Sequence, residues 1–240
     1  MAEEVNKLNC YYYRIEEGCE NRPICKYMRL DHLIQLLESG KFYVSRRKTF
    51  DDANESYKNM KLAFGFTAVG NNTYTQPVSL ERIMPYSVIP DCPTSCWSKS
   101  EEEKYLMWKC YATEVGACIR STVHNLIASL RLNLDEKSEN KVVCGSMNYK
   151  DYMPSSIEEH QLFDKDKAYV DEEEFRFYFH LPSYNSDKDA KGILITVDTN
   201  ILIDEIILSP FIKKDAADKL ARTIKCMYNI DVKQSRIQIK

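Results

Sequence analysis

Residues 171–180 read Asp171-Glu172-Glu173-Glu174-Phe175-Arg176-Phe177-Tyr178-Phe179-His180, and a period of two sorts them onto two faces as a β-strand requires. Phe175, Phe177 and Phe179 fall on one side, an apolar row suited to a core. Glu172, Glu174, Arg176, Tyr178 and His180 fall on the other, spaced about 7 Å apart on an open face. An antiparallel strand with one solvated side shows the same alternation. What separates this stretch from that ordinary case is its chemistry: two carboxylates repel each other along one face, and Arg176 follows as a fixed cation able to orient them.

Outward from this strand, helical and strand patterns alternate. Leu30, Leu33, Ile34 and Leu37 have helical spacing, and Gly40 supplies a stop. In Lys41 to Ser45 a strand follows, with Tyr43 and Ser45 on one face. Ser100 followed by Glu103 reads as a capping box opening a helix to about Ala112, with Tyr105, Trp108 and Tyr111 or Ala112 as its buried stripe. Gly116 opens a strand through Cys118 and Arg120, and Val123, Leu126, Ile127 and Leu130 predict a further amphipathic helix. A strand is expected near 141–149 and a charged helix near 156–167. The C-terminal third reads as a strand at 192–198, then strand, helix and strand, a βαβ-like unit. The fold class expected is therefore α+β: a single domain over 1–240 with a mixed central sheet flanked by helices. Residues 56–95, with scattered prolines and Asn71-Asn72, read as an insertion or covering loop.

Composition narrows the function classes. The chain has 240 residues, 44% of them apolar and 29% charged, which is a globular balance. A core of this size needs no disulfides, and the cysteines at 10, 19, 25, 92, 96, 110, 118, 144 and 226 form no obvious framework, so reduced thiols in a cytoplasmic protein are expected. The first residues lack a secretory pattern, and no apolar run approaches membrane-spanning length. A net charge of −3 without an extended basic block argues against nonspecific nucleic-acid binding, although Arg46, Arg47 and Lys48 form a local patch. Neither Cys92 with Cys96 nor the group Cys10, Cys19 and Cys25 supplies the two short-spaced ligand pairs of a structural zinc, and no metal is expected. The acidic residues Asp51, Asp52 and Glu55 read as a solvated loop.

Several motifs in order resemble a bacterial family of uncharacterised domains associated with antiphage defence. The pattern comprises Tyr-x-Arg (Tyr27-Met28-Arg29), a Leu-rich helix, and a strand ending in Ser (Phe42 to Ser45). It continues with Phe-Asn-Asp-Pro-x-Glu (Phe50 to Glu55), Met-Trp-x-x-Tyr (Met107 to Tyr111) and Glu-x-Glu-x-Arg (Glu172 to Arg176). The match spans roughly residues 26–210 and departs at Asp51, where Asn is usual, at Ala53, where Pro is usual, and at Tyr169, where Trp is common.

A second, weaker resemblance is to ADP-ribosyltransferases of the Arg, Ser, Glu type, whose ordered set is matched by Arg29, Ser45 and Glu172-x-Glu174. It implies NAD as the substrate. Arg29 would hold its phosphates and Ser45 its nicotinamide ribose, with Tyr27 in the same binding set. Glu174 would bind the ribose 2′-hydroxyl and stabilise developing positive charge, and Glu172 would position or deprotonate a protein or nucleic-acid acceptor. Two other readings compete. One is a noncatalytic sensor that binds a defence-system partner through the charged strand and residues 56–95. The other is a metal-dependent nuclease using Asp51, Asp52, Glu172 and Glu174.

Overall fold

Alternating apolar residues build two sets of strands, one in each of two compact units: residues 1–16, 43–96 and 132–194, and residues 17–42, 97–131 and 195–240. The computed structural model describes residues 9–13, 19–46, 49–50, 65–70, 73–74, 78–79, 92–135, 137–151, 163–182 and 190–239. The class is α+β, as the alternation of patterns predicts.

In the first unit the strand Glu174–His180 runs antiparallel to Lys141–Ser146, with Phe177 opposite Cys144. Lys141–Ser146 lies parallel to Cys10–Tyr13, which in turn is antiparallel to Gly65–Gly70. On the other side of Glu174–His180 comes the strand Pro93–Ser98, and Ser45 pairs with Thr94 beyond it. Within the stretch expected as a covering loop, Gly65–Gly70 is a strand that pairs antiparallel with both Thr73–Tyr74 and Val78–Ser79. Asp51, Asp52, Glu55, Arg47, Lys48 and Asn71-Asn72 lie outside the described residues.

Phe175, Phe177 and Phe179 are buried, as the period-two reading requires. The opposite face departs from expectation. Glu174, Arg176 and Tyr178 are buried as well, so this strand has no open polar side. The cover is a small parallel pair, Asn148–Lys150 with Asp164–Asp166. Just before that second strand, Phe163 meets the Tyr178 ring edge-on at 5.2 Å. Local alternation cannot reveal a layer supplied by residues this close to the strand in space and outside its own period. The pair also corrects the charged helix expected near 156–167: its described end is the strand Asp164–Asp166, and 156–162 lie outside the described residues.

In the second unit Pro23–Arg29 pairs antiparallel with Gly116–Thr122 along its whole length, and Gly116–Thr122 pairs antiparallel with Glu205–Leu208. The C-terminal pattern folds as read. Glu205–Leu208 and Val232–Gln234 are parallel neighbours, and the helix Lys214–Tyr228 joins them. The helix Leu30–Ser39 buries Leu33, Leu36 and Leu37. It ends at Gly40, whose φ of 61° is left-handed and whose N–H donates to Leu36 O at 2.9 Å. Val123–Ser129 is the expected amphipathic helix, started by Thr122, whose hydroxyl accepts from the Asn125 N–H.

The capping box at Ser100 does not form. Ser100 Oγ donates to the Glu102 carbonyl, and the Glu103 carboxylate accepts from Trp108 Nε1 at 3.2 Å, from the Arg236 N–H at 2.9 Å and from the Ser235 hydroxyl. The helix begins only at Tyr105 and widens at once into a π-turn, Trp108–Ala112. This winding puts Trp108 and Ala112 into the core with Cys25, Tyr27, Met107, Cys118 and Ile207, and leaves Tyr105 and Tyr111 exposed. The strand that follows approaches the π-turn so closely that a Cβ on Gly116 would stand 2.2 Å from the Ala112 carbonyl oxygen. Gly116→Ala is therefore expected to destabilise the protein by about 3 kcal/mol, measured as a fall in the urea unfolding midpoint at unchanged slope.

Candidate functional site

The carboxylates singled out by the sequence do come together, by a different route from the one the period implied. Glu172 is not part of the strand. It ends the 3-10 helix Lys167–Glu172, which Asp166 caps by accepting from the Ala168 N–H at 2.8 Å. Glu173 then turns the chain with φ 45°, a left-handed conformation uncommon outside glycine, and the strand begins at Glu174.

Lys165 bridges the two carboxylates. Its Nζ donates to Glu172 Oε2 at 2.6 Å and to Glu174 Oε2 at 3.2 Å, and it lies 4.6 Å from the centre of the Tyr169 ring. Arg176 donates to the same Glu174 oxygen at 2.7 Å, while its guanidinium lies 5.5 Å from the centre of the Phe50 ring. The Tyr149 hydroxyl accepts from the Glu174 N–H at 2.7 Å. Two cations thus balance two carboxylates, and both aromatic contacts are of the cation–π kind.

This balance sets the protonation state. Burial pushes the Glu174 carboxyl up, but Arg176 and then Lys165 outweigh it and hold the group at about 2. It is ionised at every physiological pH, which suits it to accept hydrogen bonds or stabilise a cation and not to shuttle protons. Burial, followed by the charge of Lys141, lowers His180 below its ordinary value and favours the neutral imidazole.

Ser45 joins this face through the strand register. It pairs with Thr94, Thr94 and Cys96 lie two residues apart on one side of their strand, and the Cys96 thiol hydrogen-bonds the Glu174 carboxylate. Ser45 and Glu174 therefore share a sheet face with one strand between theirs, about 10 Å apart across the sheet and offset along it by the two residues from Thr94 to Cys96, about 7 Å. Both Ser45 and Cys96 are half-buried.

The remaining expected ligands belong to the second unit. Arg29 is exposed, and one edge of its guanidinium, Nε and Nη2, donates to the two oxygens of Asp31 at 3.0 and 2.7 Å. Tyr27 is a core residue: its ring meets Trp108 edge-on at 4.9 Å, and its hydroxyl accepts from the Lys104 N–H. Lys165, Tyr149 and Cys96 escaped sequence reasoning. Lys165 alternates with Asp164 and Asp166 in a short charged run, which reads as solvated surface, and no spacing connects Cys96 with Glu174.

Among the described residues no three His, Cys, Asp or Glu side chains gather as a metal cage, and no described helix is long and apolar enough to cross a membrane. Set against models of known protein families, curated proteins and solved structures, the chain matches none.

Two outcomes test the ion cluster. Lys165→Met leaves two carboxylates, the buried Glu174 and the half-buried Glu172, to one guanidinium and is expected to cost about 3 kcal/mol in chemical unfolding. For Glu174 the folded pKa lies below the unfolded one. Its contribution, on the order of 3 kcal/mol, is therefore complete above about pH 4.5 and is lost as pH falls towards 2. Acid titration of stability should show this loss in the wild type, and Glu174→Gln should lose less stability over the same range, where Asp31, Glu205 and Asp231, also held low, still titrate.

Proposed function

We propose that the first unit carries an ADP-ribosyltransferase-like site that consumes NAD and acts as a cytoplasmic defence effector or toxin on a protein or nucleic-acid acceptor. One observation carries the reading: Ser45 and a permanently ionised Glu174 stand on the same sheet face, with Glu172 linked to Glu174 through Lys165. The ordered motifs in the sequence support the defence context.

The chemistry follows from charge. As nicotinamide leaves, the bond between its ring nitrogen and the ribose C1′ breaks, the electron pair stays with nicotinamide, and C1′ gains positive character. A fixed carboxylate that accepts from the ribose 2′-hydroxyl stabilises that cation without itself changing protonation. Ser45 supplies a hydroxyl to orient the ribose, and Glu172, the less buried of the two carboxylates, takes the proton of the acceptor as it bonds to C1′. The proposal draws on Ser45, Glu172 and Glu174. It does not draw on Arg29, whose guanidinium is engaged by Asp31, or on Tyr27, which is enclosed in the core.

The burial of Glu174, Arg176 and Tyr178 counts against a flat partner-binding surface on the charged strand, and it requires that NAD reach Glu174 from the half-buried side of Ser45 and Cys96. The nuclease reading has two of its four carboxylates, Glu172 and Glu174, bridged by Lys165, and its other two, Asp51 and Asp52, lie outside the described residues.

Nicotinamide release from NAD by the purified chain, with and without bacterial lysate as acceptor source, tests the reading. The wild type should release nicotinamide. Ser45→Ala should lower the rate about tenfold or more at an unchanged melting temperature, and Glu174→Gln should abolish it. Because Glu174→Gln also weakens the ion cluster, the Ser45 variant is the decisive arm. A wild type that releases nothing under either condition ends the proposal.

A further inference from the structure

The second unit holds an open groove of about 980 Å³ that NAD chemistry does not use. One wall is the flank of the helix Leu30–Ser39. Its buried stripe is Leu33, Leu36 and Leu37, so Leu30 and Ile34, one turn apart, are left half-buried along the groove. The other wall is Thr113, Glu114 and Val115, where the chain leaves the π-turn.

That second wall is held in a costly conformation. Thr113 has φ 56° and ψ −158°, a region that residues with a Cβ rarely occupy, at a cost of about 1–3 kcal/mol. Its N–H donates to Trp108 O at 2.9 Å, and the Leu30 N–H donates to Val115 O at 3.1 Å, so the segment is pinned at both ends. Val115, at the second anchor, is 55% exposed, an apolar side chain beside Leu30 and Ile34 with no cover among the described residues.

Charge decides what fits. Arg29 and Asp31 neutralise each other. Glu38 and Glu114 also line the groove, and among the described residues neither carboxylate has an ion-pair or hydrogen-bond partner. The rim therefore carries two uncompensated negative charges around an apolar floor, which repels phosphates and attracts cations.

We infer that this groove docks an amphipathic segment of a partner protein. Its apolar side chains cover Leu30, Ile34 and Val115, and its lysines or arginines meet Glu38 and Glu114. The inference stands independently of the NAD reading, since it concerns the other unit and its test contains no NAD.

The test is calorimetric titration of the full chain with two synthetic amphipathic helical peptides, one of Leu and Lys and the other with Glu at every Lys. Hydrogen exchange in the presence of the first peptide gives the location. The Leu/Lys peptide should bind and slow exchange in residues 30–39 and 113–115. The double variant Glu38→Gln, Glu114→Gln should weaken binding at least about tenfold, as should Val115→Lys, which removes the apolar contact and repels the peptide's lysines. Asp218→Asn removes an exposed acid from the helix Lys214–Tyr228 and should leave binding unchanged. Lack of binding by the wild type would overturn the inference. So would equal affinity for the Leu/Glu peptide, equal weakening by Asp218→Asn, or protection confined to other segments.

Discussion

A lysine ammonium held out of water between two carboxylates is the interaction around which the first unit is arranged. Lys165 reaches Glu172 on the 3-10 helix and Glu174 at the start of the long strand, and Arg176 completes the charge balance from the same strand. Taking four charges out of water is expensive, and their mutual attraction offsets that cost only when the geometry is good and the remaining hydrogen-bonding capacity is used. The Tyr149 hydroxyl accepts from the Glu174 N–H, and the rings of Tyr169 beside Lys165 and Phe50 beside Arg176 enclose the cluster. The pair of short strands that brings Lys165 and Tyr149 into place is tied in turn by Asp164, which accepts from Asn148 Nδ2 and Lys150 Nζ.

The second unit solves a different problem, with apolar packing in place of charge. Its centre is Trp108, fully buried against Tyr27 and anchored through its indole N–H by Glu103. The same carboxylate accepts from Ser235 and Arg236, so one acidic side chain holds both the π-turn helix and the C-terminal segment. Widening the helix to a π-turn seats Trp108 and Ala112 together, and the chain leaves that turn through the strained Thr113. Strain and exposure coincide here: the residues just after the turn are the ones that line the open groove.

These arrangements separate what local pattern can show from what it cannot. The helix over Leu30–Ser39 with its Gly40 stop, the Val123–Ser129 helix, the phenylalanine face of the long strand and the C-terminal βαβ-like unit were all legible, because each is written in a period of 3.6 or 2 with punctuation at its ends. The Ser100 and Glu103 pair misled because a capping box is a local option, and Glu103 has three donors from distant and near chain to satisfy instead. The polar side of the strand misled because alternation reports two faces and not what lies over each of them.

The sequence by itself determined the α+β class, the order of most elements and the concentration of ionisable groups around 172–176, since these depend on periodicity and residue type along a short stretch of chain. Only the tertiary structure decided that those groups are buried, that Lys165 joins Glu172 to Glu174, that Ser45 shares their sheet face, and that Arg29 spends its charge on Asp31. The physical reason is range. Burial and charge balance are set by whichever segments pack across a face. Lys165 lies 7 and 9 residues from the carboxylates it bridges and Tyr149 lies 25 residues from the Glu174 N–H it accepts from, and no period in the sequence spans those separations.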